Sequence, residues 1–263
     1  MIVDCTLFYN EVDMLLYRLK VMYPVVDKFI IVESTKTFRG NYKELYFEKN
    51  KKVFEKYLDK IIHVIDDQLD DPDPWVNERH QRDYAIHALR DFAQDDDIIL
   101  ISDVDEIFNP EIIKKLNFEK CVSMQMDMYY YNIETKLKDL WTLPKAIRYK
   151  YLTTLNDTRV MSAPVIPGAG WHLSYFGDEK MIINKLKNFA HSELSHFYDY
   201  EDKDRIKNII KNKISLASFL DDFVPFEIIH VPMSENTNLP PDYTEIKVTI
   251  EEYDVPFVDT SRI

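Results

Sequence analysis

The sequence predicts an α/β fold, a Rossmann-like sheet flanked by helices. Three observations lead there. Short β-branched runs alternate with segments of helical periodicity through the first hundred residues, the pattern of a parallel sheet joined by crossover helices. The chain has 263 residues, 46% of them hydrophobic, which is enough for one substantial core. Finally, an apolar run ends directly in a cluster of carboxylates, as strands of such sheets do at their ligand-binding ends.

Ile2 to Tyr9 reads as the first strand, and Leu15, Leu16, Leu19 and Met22 mark a helix that Pro24 stops. Lys28 to Glu33 (K-F-I-I-V-E) is a buried strand, Lys43 to Asp59 a charged helix, and Ile61 to Ile65 a third strand. Asp66 to Pro74 carries five aspartates and reads as a solvated turn. Glu78 to Phe92 is a helix with Tyr84, Ala88 and Phe92 on one face, and Asp97 to Ser102 a fourth strand. A helix after Pro110 leads to an aromatic-rich strand, Val122 to Tyr131, and Thr135 to Ile166 is mixed and strand-like. Helices are expected near Asp178 to Leu194 and Lys203 to Leu220. With no repeat or linker, residues 1–224 read as one domain, and the proline-rich 225–263 as an extended tail packed on it or trailing from it.

Composition excludes several functions. Four glycines are too few for a P-loop or a G-x-G-x-x-G site, where backbone must approach phosphate. A net charge of −13 disfavours a nucleic-acid partner, since phosphate backbones require a basic face. Cys5 and Cys121, in apolar surroundings, read as buried reduced thiols. No apolar run reaches membrane-spanning length and the first residues are no signal peptide, so the expectation is a soluble, cytoplasmic chain.

The chemistry concentrates after the fourth strand, at Asp103-Val104-Asp105-Glu106. Asp103 and Asp105, two apart in an extended turn, can point toward one cation and a ribose. Their hard oxygens suit Mn²⁺ or Mg²⁺ bridging two phosphates of a donor. A bare D-x-D also serves haloacid-dehalogenase-type phosphatases, with the first aspartate as nucleophile. There it follows the first strand, with Thr or Val two positions on; here it comes a hundred residues in, and Ile107 stands in that place. A non-catalytic nucleotide-sugar-binding module is the other alternative. Its motif should have decayed, yet Asp103, Asp105 and Glu106 are all present.

A wider series of segments resembles glycosyltransferase family seventeen. It comprises F-Y-N-E-V-D-M-L-L-Y-R-L (Phe8 to Leu19), I-I-V-E-S-T-K-T-F-R-G (Ile30 to Gly40), L-Y-F (Leu45 to Phe47), I-L-I-S-D-V-D-E-I-F (Ile99 to Phe108), Y-Y-Y-N (Tyr129 to Asn132), A-G-W-H-L-S-Y-F-G (Ala169 to Gly177) and K-L-K-N-F-A-H-S-E (Lys185 to Glu193). Best known in that family are the β-1,4-mannosyl-glycoprotein 4-β-N-acetylglucosaminyltransferases, which add the bisecting N-acetylglucosamine to N-glycans. The resemblance covers roughly Met1 to Lys213. It implies a GT-A-type mixed sheet, a UDP-sugar donor, a glycan or glycoconjugate acceptor, a divalent metal and inversion at the anomeric carbon.

Within that frame, Asn10, Glu33, Arg79, Arg82 and Asp103 are candidates for the donor. The alternative for Glu33 is a strand-end carboxylate satisfied by neighbouring amides; for either arginine it is a surface ion pair. Asp103 and Asp105 are the metal candidates, and a further ligand is sought among His172 and His191, with His196 nearby. Trp171-His172 follows Gly168 and Gly170 in what reads as a permissive loop. Tyr130 and Trp171 are acceptor candidates, because aromatic rings stack on sugar faces. The general base is sought at Asp178 or Glu179, at a helix start after Gly177, with Glu193 as the second choice; acidic residues also favour helix N-termini for their own sake.

Overall fold

The structure, a computed structural model, describes residues 1–177, 179–190, 207–209, 211–212 and 227–246. In chain order its strands and α-helices are β1 (Ile2–Phe8), α1 (Val12–Met22), β2 (Lys28–Ser34), α2 (Tyr46–Lys49), β3 (Ile61–Asp66), α3 (Pro74–Phe92) and β4 (Ile98–Ile101). Then come β5 (Glu106–Phe108), α4 (Pro110–Ile113), β6 (Cys121–Tyr130), β7 (Thr135–Leu137), β8 (Lys145–Arg148), α5 (Leu155–Val160), β9 (Val165–Ser174), α6 (Glu179–Asn188) and β10 (Ile228–His230).

These strands form one mixed sheet of GT-A type, in the order β10-β7-β6-β8-β4-β1-β2-β3, with β9 lying along β6 and β5 along β9. The run β3-β2-β1-β4 is parallel throughout, and β9 also lies parallel to β6. The chain runs outward from β1 through β2 to β3, then returns to the other side of β1 as β4. Between the carboxyl ends of β1 and β4 the order reverses, and there a crevice must open.

Side-chain alternation assigns the two faces. In β4, Ile98 and Leu100 join the core under α1, while Ile99 and Ile101 join the core under α3. The first core takes Val12, Leu15, Leu19 and Met22 from α1; the second takes Ala85 and Leu89 from α3.

Local chemistry moves several expected boundaries. Helix α3 starts at Pro74, ahead of the expected Glu78, because Asp73 caps it by accepting from the Trp75 amide at 2.9 Å and Pro74 fits the first helical position. That brings Trp75 and Asn77 into the helix. The expected helix over Lys43 to Asp59 shrinks to the single turn α2 and a 3-10 segment, Lys51–Tyr57, anchored by the stacked Phe47 and Phe54 rings. Helix α4 is likewise one turn. Trp171 and His172 lie within β9, not in a loop.

Residues 227–246 pack against the sheet. β10 extends it beside β7, the Tyr17 hydroxyl donates to the Pro241 carbonyl at 2.6 Å, and Lys20 pairs with Asp242 at 3.0 Å. Most of the helix expected over Lys203 to Leu220 lies outside the described residues, as does everything after Ile246. Among the described residues no helix is long and apolar enough to cross a membrane. Both cysteines are buried and free.

Candidate active site

The turn that carries Asp103 to Glu106 is held from below by a buried guanidinium. Arg18 projects from α1 with no exposed side-chain surface, and its Nε donates to Asp4 on β1 at 2.8 Å. Its Nη1 donates to the carbonyls of Asp103 (2.9 Å) and Glu106 (2.8 Å), and its Nη2 to the Ser102 hydroxyl at 2.6 Å. A charge buried this fully must be paired and hydrogen-bonded. Here its donors fix the backbone of the motif.

A second buried arginine, Arg159 from α5, grips the motif's side chains. It donates to Glu106 at 2.8 and 2.7 Å and to Asp103 at 2.7 Å. Glu106, fully buried, also accepts from the Asp103 amide at 2.7 Å and from the Trp141 indole. Arg82 of α3 reaches the other oxygen of Asp103 at 3.0 Å. Burial alone would raise the Asp103 pKa, but Arg159 and Arg82 outweigh it and hold the carboxyl well below the usual range.

Asp105 faces different neighbours. Lys185 of α6 donates to its Oδ2 at 2.8 Å, and His172 Nε2 stands 3.6 Å from its Oδ1. Burial pushes this carboxyl up as well; Lys185 and His172 bring it below its ordinary value. The pairing of β5 with β9 puts His172 opposite Glu106. That approach requires Gly170, because a Cβ there would overlap the Ile107 carbonyl oxygen.

These groups border a cavity of about 380 Å³ at the switch point. Tyr9 and Glu11 line it from the end of β1; Trp75, Glu78, Gln81 and Arg82 from α3; Met128 and Tyr130 from β6; Lys185 and Asn188 from α6. Among the described residues, His172 Nδ1 and Arg82 Nε are the buried side-chain polar atoms without a hydrogen-bond partner. Both belong to residues of this cavity, and such atoms call for a polar ligand or water.

Of the residues singled out in the sequence, Asp103, Asp105, Arg82, His172 and Tyr130 meet around the cavity. Asn10 lines a smaller neighbouring pocket with Glu11, Asp105 and Lys185. Four others do not reach the cavity. Glu33 is sealed beneath α2, accepting from the Phe47 amide (3.1 Å) and Lys43 (3.0 Å) and facing His63 (3.0 Å), which makes it a cap for that turn. Arg79 is exposed on α3, a helical step away from the inward-facing Arg82. Trp171 points to the opposite face of β9 from His172, into the core, and donates to the Asn238 carbonyl at 2.8 Å. Glu179 faces Lys207 at 3.4 Å, outside the lining. Asp178, His191, Glu193 and His196 lie outside the described residues.

The sequence reading missed Arg18, Arg159, Trp141 and Lys185. Arg18 had a signal: it shares the helical face of Leu15, Leu19 and Met22, where a charge is tolerated only with a buried partner.

A divalent cation fits part of this donor set. Two donors about 2.1 Å from one ion lie about 3–4 Å apart at ordinary ligand angles, and Asp105 Oδ1 and His172 Nε2 are 3.6 Å apart. Among the described residues no three His, Cys, Asp or Glu side chains converge as a complete cage. The pair therefore suits an ion that takes its remaining ligands from phosphates and water.

The family model Glycosyltransferase family 17 matches residues 1–245, and the chain belongs to that family. No curated protein matches it.

Proposed function

From membership of this glycosyltransferase family, we propose that the protein moves N-acetylglucosamine from UDP-N-acetylglucosamine to a hydroxyl of a glycan, with inversion and with Mn²⁺ or Mg²⁺. The observation that carries the reading is the pairing of Asp105 with His172 beside Arg82, Arg159 and Lys185, in one cavity at the switch point. A nucleoside diphosphate needs such a site: a place for a hard cation, and fixed positive charge next to it.

In this reading Asp105 and His172 hold the cation. When bound, it supplies Lewis-acid neutralisation of the leaving diphosphate. Asp103, kept ionised by its two arginines, presents an acceptor to the donor's ribose, and Tyr130 offers a ring face to the acceptor sugar. The transfer is a single displacement: the acceptor oxygen bonds to C1, the bond from C1 to the diphosphate oxygen breaks, and the acceptor's proton passes to a carboxylate. Asp178, just before α6, is the base we favour, with Glu193 second; Glu179 is turned toward Lys207.

Calorimetry with nucleotide sugars in the presence of Mn²⁺ tests the donor. UDP-sugars are expected to bind more tightly than GDP- or CMP-sugars, and UDP-N-acetylglucosamine to be consumed when glycans are supplied. A clear preference for GDP-mannose overturns the assignment.

A further inference from the structure

Lys185 enters the cavity from α6 and shares the Asp105 carboxylate with His172. Its Nζ is 2.8 Å from Oδ2, while His172 Nε2 faces Oδ1. The ammonium also stands over the Tyr175 ring, 5.4 Å from its centroid. Tyr175, the residue directly after β9, has a φ of 54°, a left-handed conformation that side chains other than glycine adopt at a cost. Strain of this kind persists where the surroundings demand it, and here it sets a ring beneath a cation.

Asp105 takes one of the three N–H donors of Lys185. Lys185 lines the cavity, so its remaining donors are placed to meet a ligand bound there. The ammonium thus sits on the second oxygen of the carboxylate whose first oxygen faces the candidate cation position.

We propose that Lys185 binds the diphosphate of the donor directly, sharing its negative charge with the cation held at Asp105. This rests on the nucleoside-diphosphate reading above. Because both positive charges sit on one carboxylate, a phosphate bound beside Asp105 lies next to Lys185. The bland alternative is a strap, a lysine that only ties α6 to the motif turn.

The test compares UDP with uridine, the latter by competition against UDP, in the presence of Mn²⁺, for the wild type, Lys185→Gln and Lys185→Arg. Diphosphate contact predicts about 10-fold or more weaker UDP binding by Lys185→Gln, the usual loss for a charge-assisted hydrogen bond. Uridine affinity and the melting temperature without ligand should stay near wild type, and Lys185→Arg should restore most of the UDP affinity. The proposal is overturned if Lys185→Gln binds UDP within about twofold of wild type. It is overturned equally if uridine and UDP weaken together while the unliganded protein melts earlier, which is the behaviour of a strap. If the wild type itself binds no UDP or UDP-sugar, the donor reading falls and takes the proposal with it.

Discussion

Replacing Arg18 with methionine removes the support of the motif at a residue that does not itself line the cavity. The substitution leaves Asp4 buried and unpaired, and takes the donors away from the Ser102 hydroxyl and the carbonyls of Asp103 and Glu106. Breaking a fully buried ion pair by deleting one partner costs about 3–5 kcal/mol. In a domain of this size each kcal/mol shifts the melting temperature by roughly 2–4 °C, so a fall on the order of 10 °C is expected. Turnover should drop as well, since Asp103 and Asp105 are carried on the backbone that Arg18 holds. Thermal melts followed by circular dichroism, and UDP release at a temperature where both proteins are folded, measure the two effects. The double change Asp4→Leu/Arg18→Met separates them: an apolar pair removes the orphaned carboxylate and should recover part of the melting loss, but it gives the two carbonyls no donor. Arg18→Met melting and turning over like wild type would refute the reasoning. Recovery of full turnover in the double variant would show that the carbonyl contacts do not position the motif.

Asp105→Asn is expected to abolish Mn²⁺-dependent turnover with little change in melting, checked by UDP release and metal titration; full activity with unchanged metal affinity would remove Asp105 from the cation site. Gly170→Ala should part β5 from β9, because the new methyl meets the Ile107 carbonyl, and cost about 1–3 kcal/mol together with the placement of His172 two residues on; urea unfolding and turnover report it. Lys145 gives a pH dependence. Burial lowers its pKa to about 8, below the ~10.4 of an unfolded lysine. Between those values the unfolded chain binds more protons, so stability rises with pH across that window. A melting series from pH 7 to pH 10 should show that rise in the wild type and a flatter profile in Lys145→Met.

The run β3-β2-β1-β4 was legible because its inner strands β1, β2 and β4 are buried on both faces and read as continuous apolar runs. Ile98 to Ile101 divides between two cores by simple alternation, and the carboxylates at its end fall where the strand order reverses. The other half, in which β6 and β9 run parallel and the remaining pairs antiparallel, was less so. β5 has three residues, and its partner β9 carries Gly168 and Gly170, which locally look like a loop. Only the tertiary fit of Gly170 against Ile107 reveals the pairing. The same limit governs the site. Asp103 and Asp105 announce themselves, whereas Arg159 arrives from a six-residue helix more than fifty positions away, with nothing in its own neighbourhood to mark it. Glu33 and Trp171 misled for the opposite reason: their residue types suit donor and sugar, but a capped turn and the strand's alternation turn them elsewhere.

Net charge misleads in the same manner. The chain carries −13 overall, yet its cavity sets Lys36, Lys43, Arg82, Arg159 and Lys185 against Glu11, Glu78, Asp103 and Asp105. An anionic ligand is served by this local balance, and the motif's three carboxylates divide the work of creating it. Glu106 spends its lone pairs on Arg159, Trp141 and the Asp103 amide, with no surface left for a ligand. Asp103 is bound on each oxygen by a guanidinium, which keeps it ionised and keeps both arginines beside the cavity. Only Asp105 retains an oxygen, Oδ1, that no donor among the described residues occupies within hydrogen-bond distance. If one of the three meets a cation, the hydrogen bonding selects Asp105. The two buried arginines are then what allows three carboxylates to stand within four residues without repelling one another out of the turn.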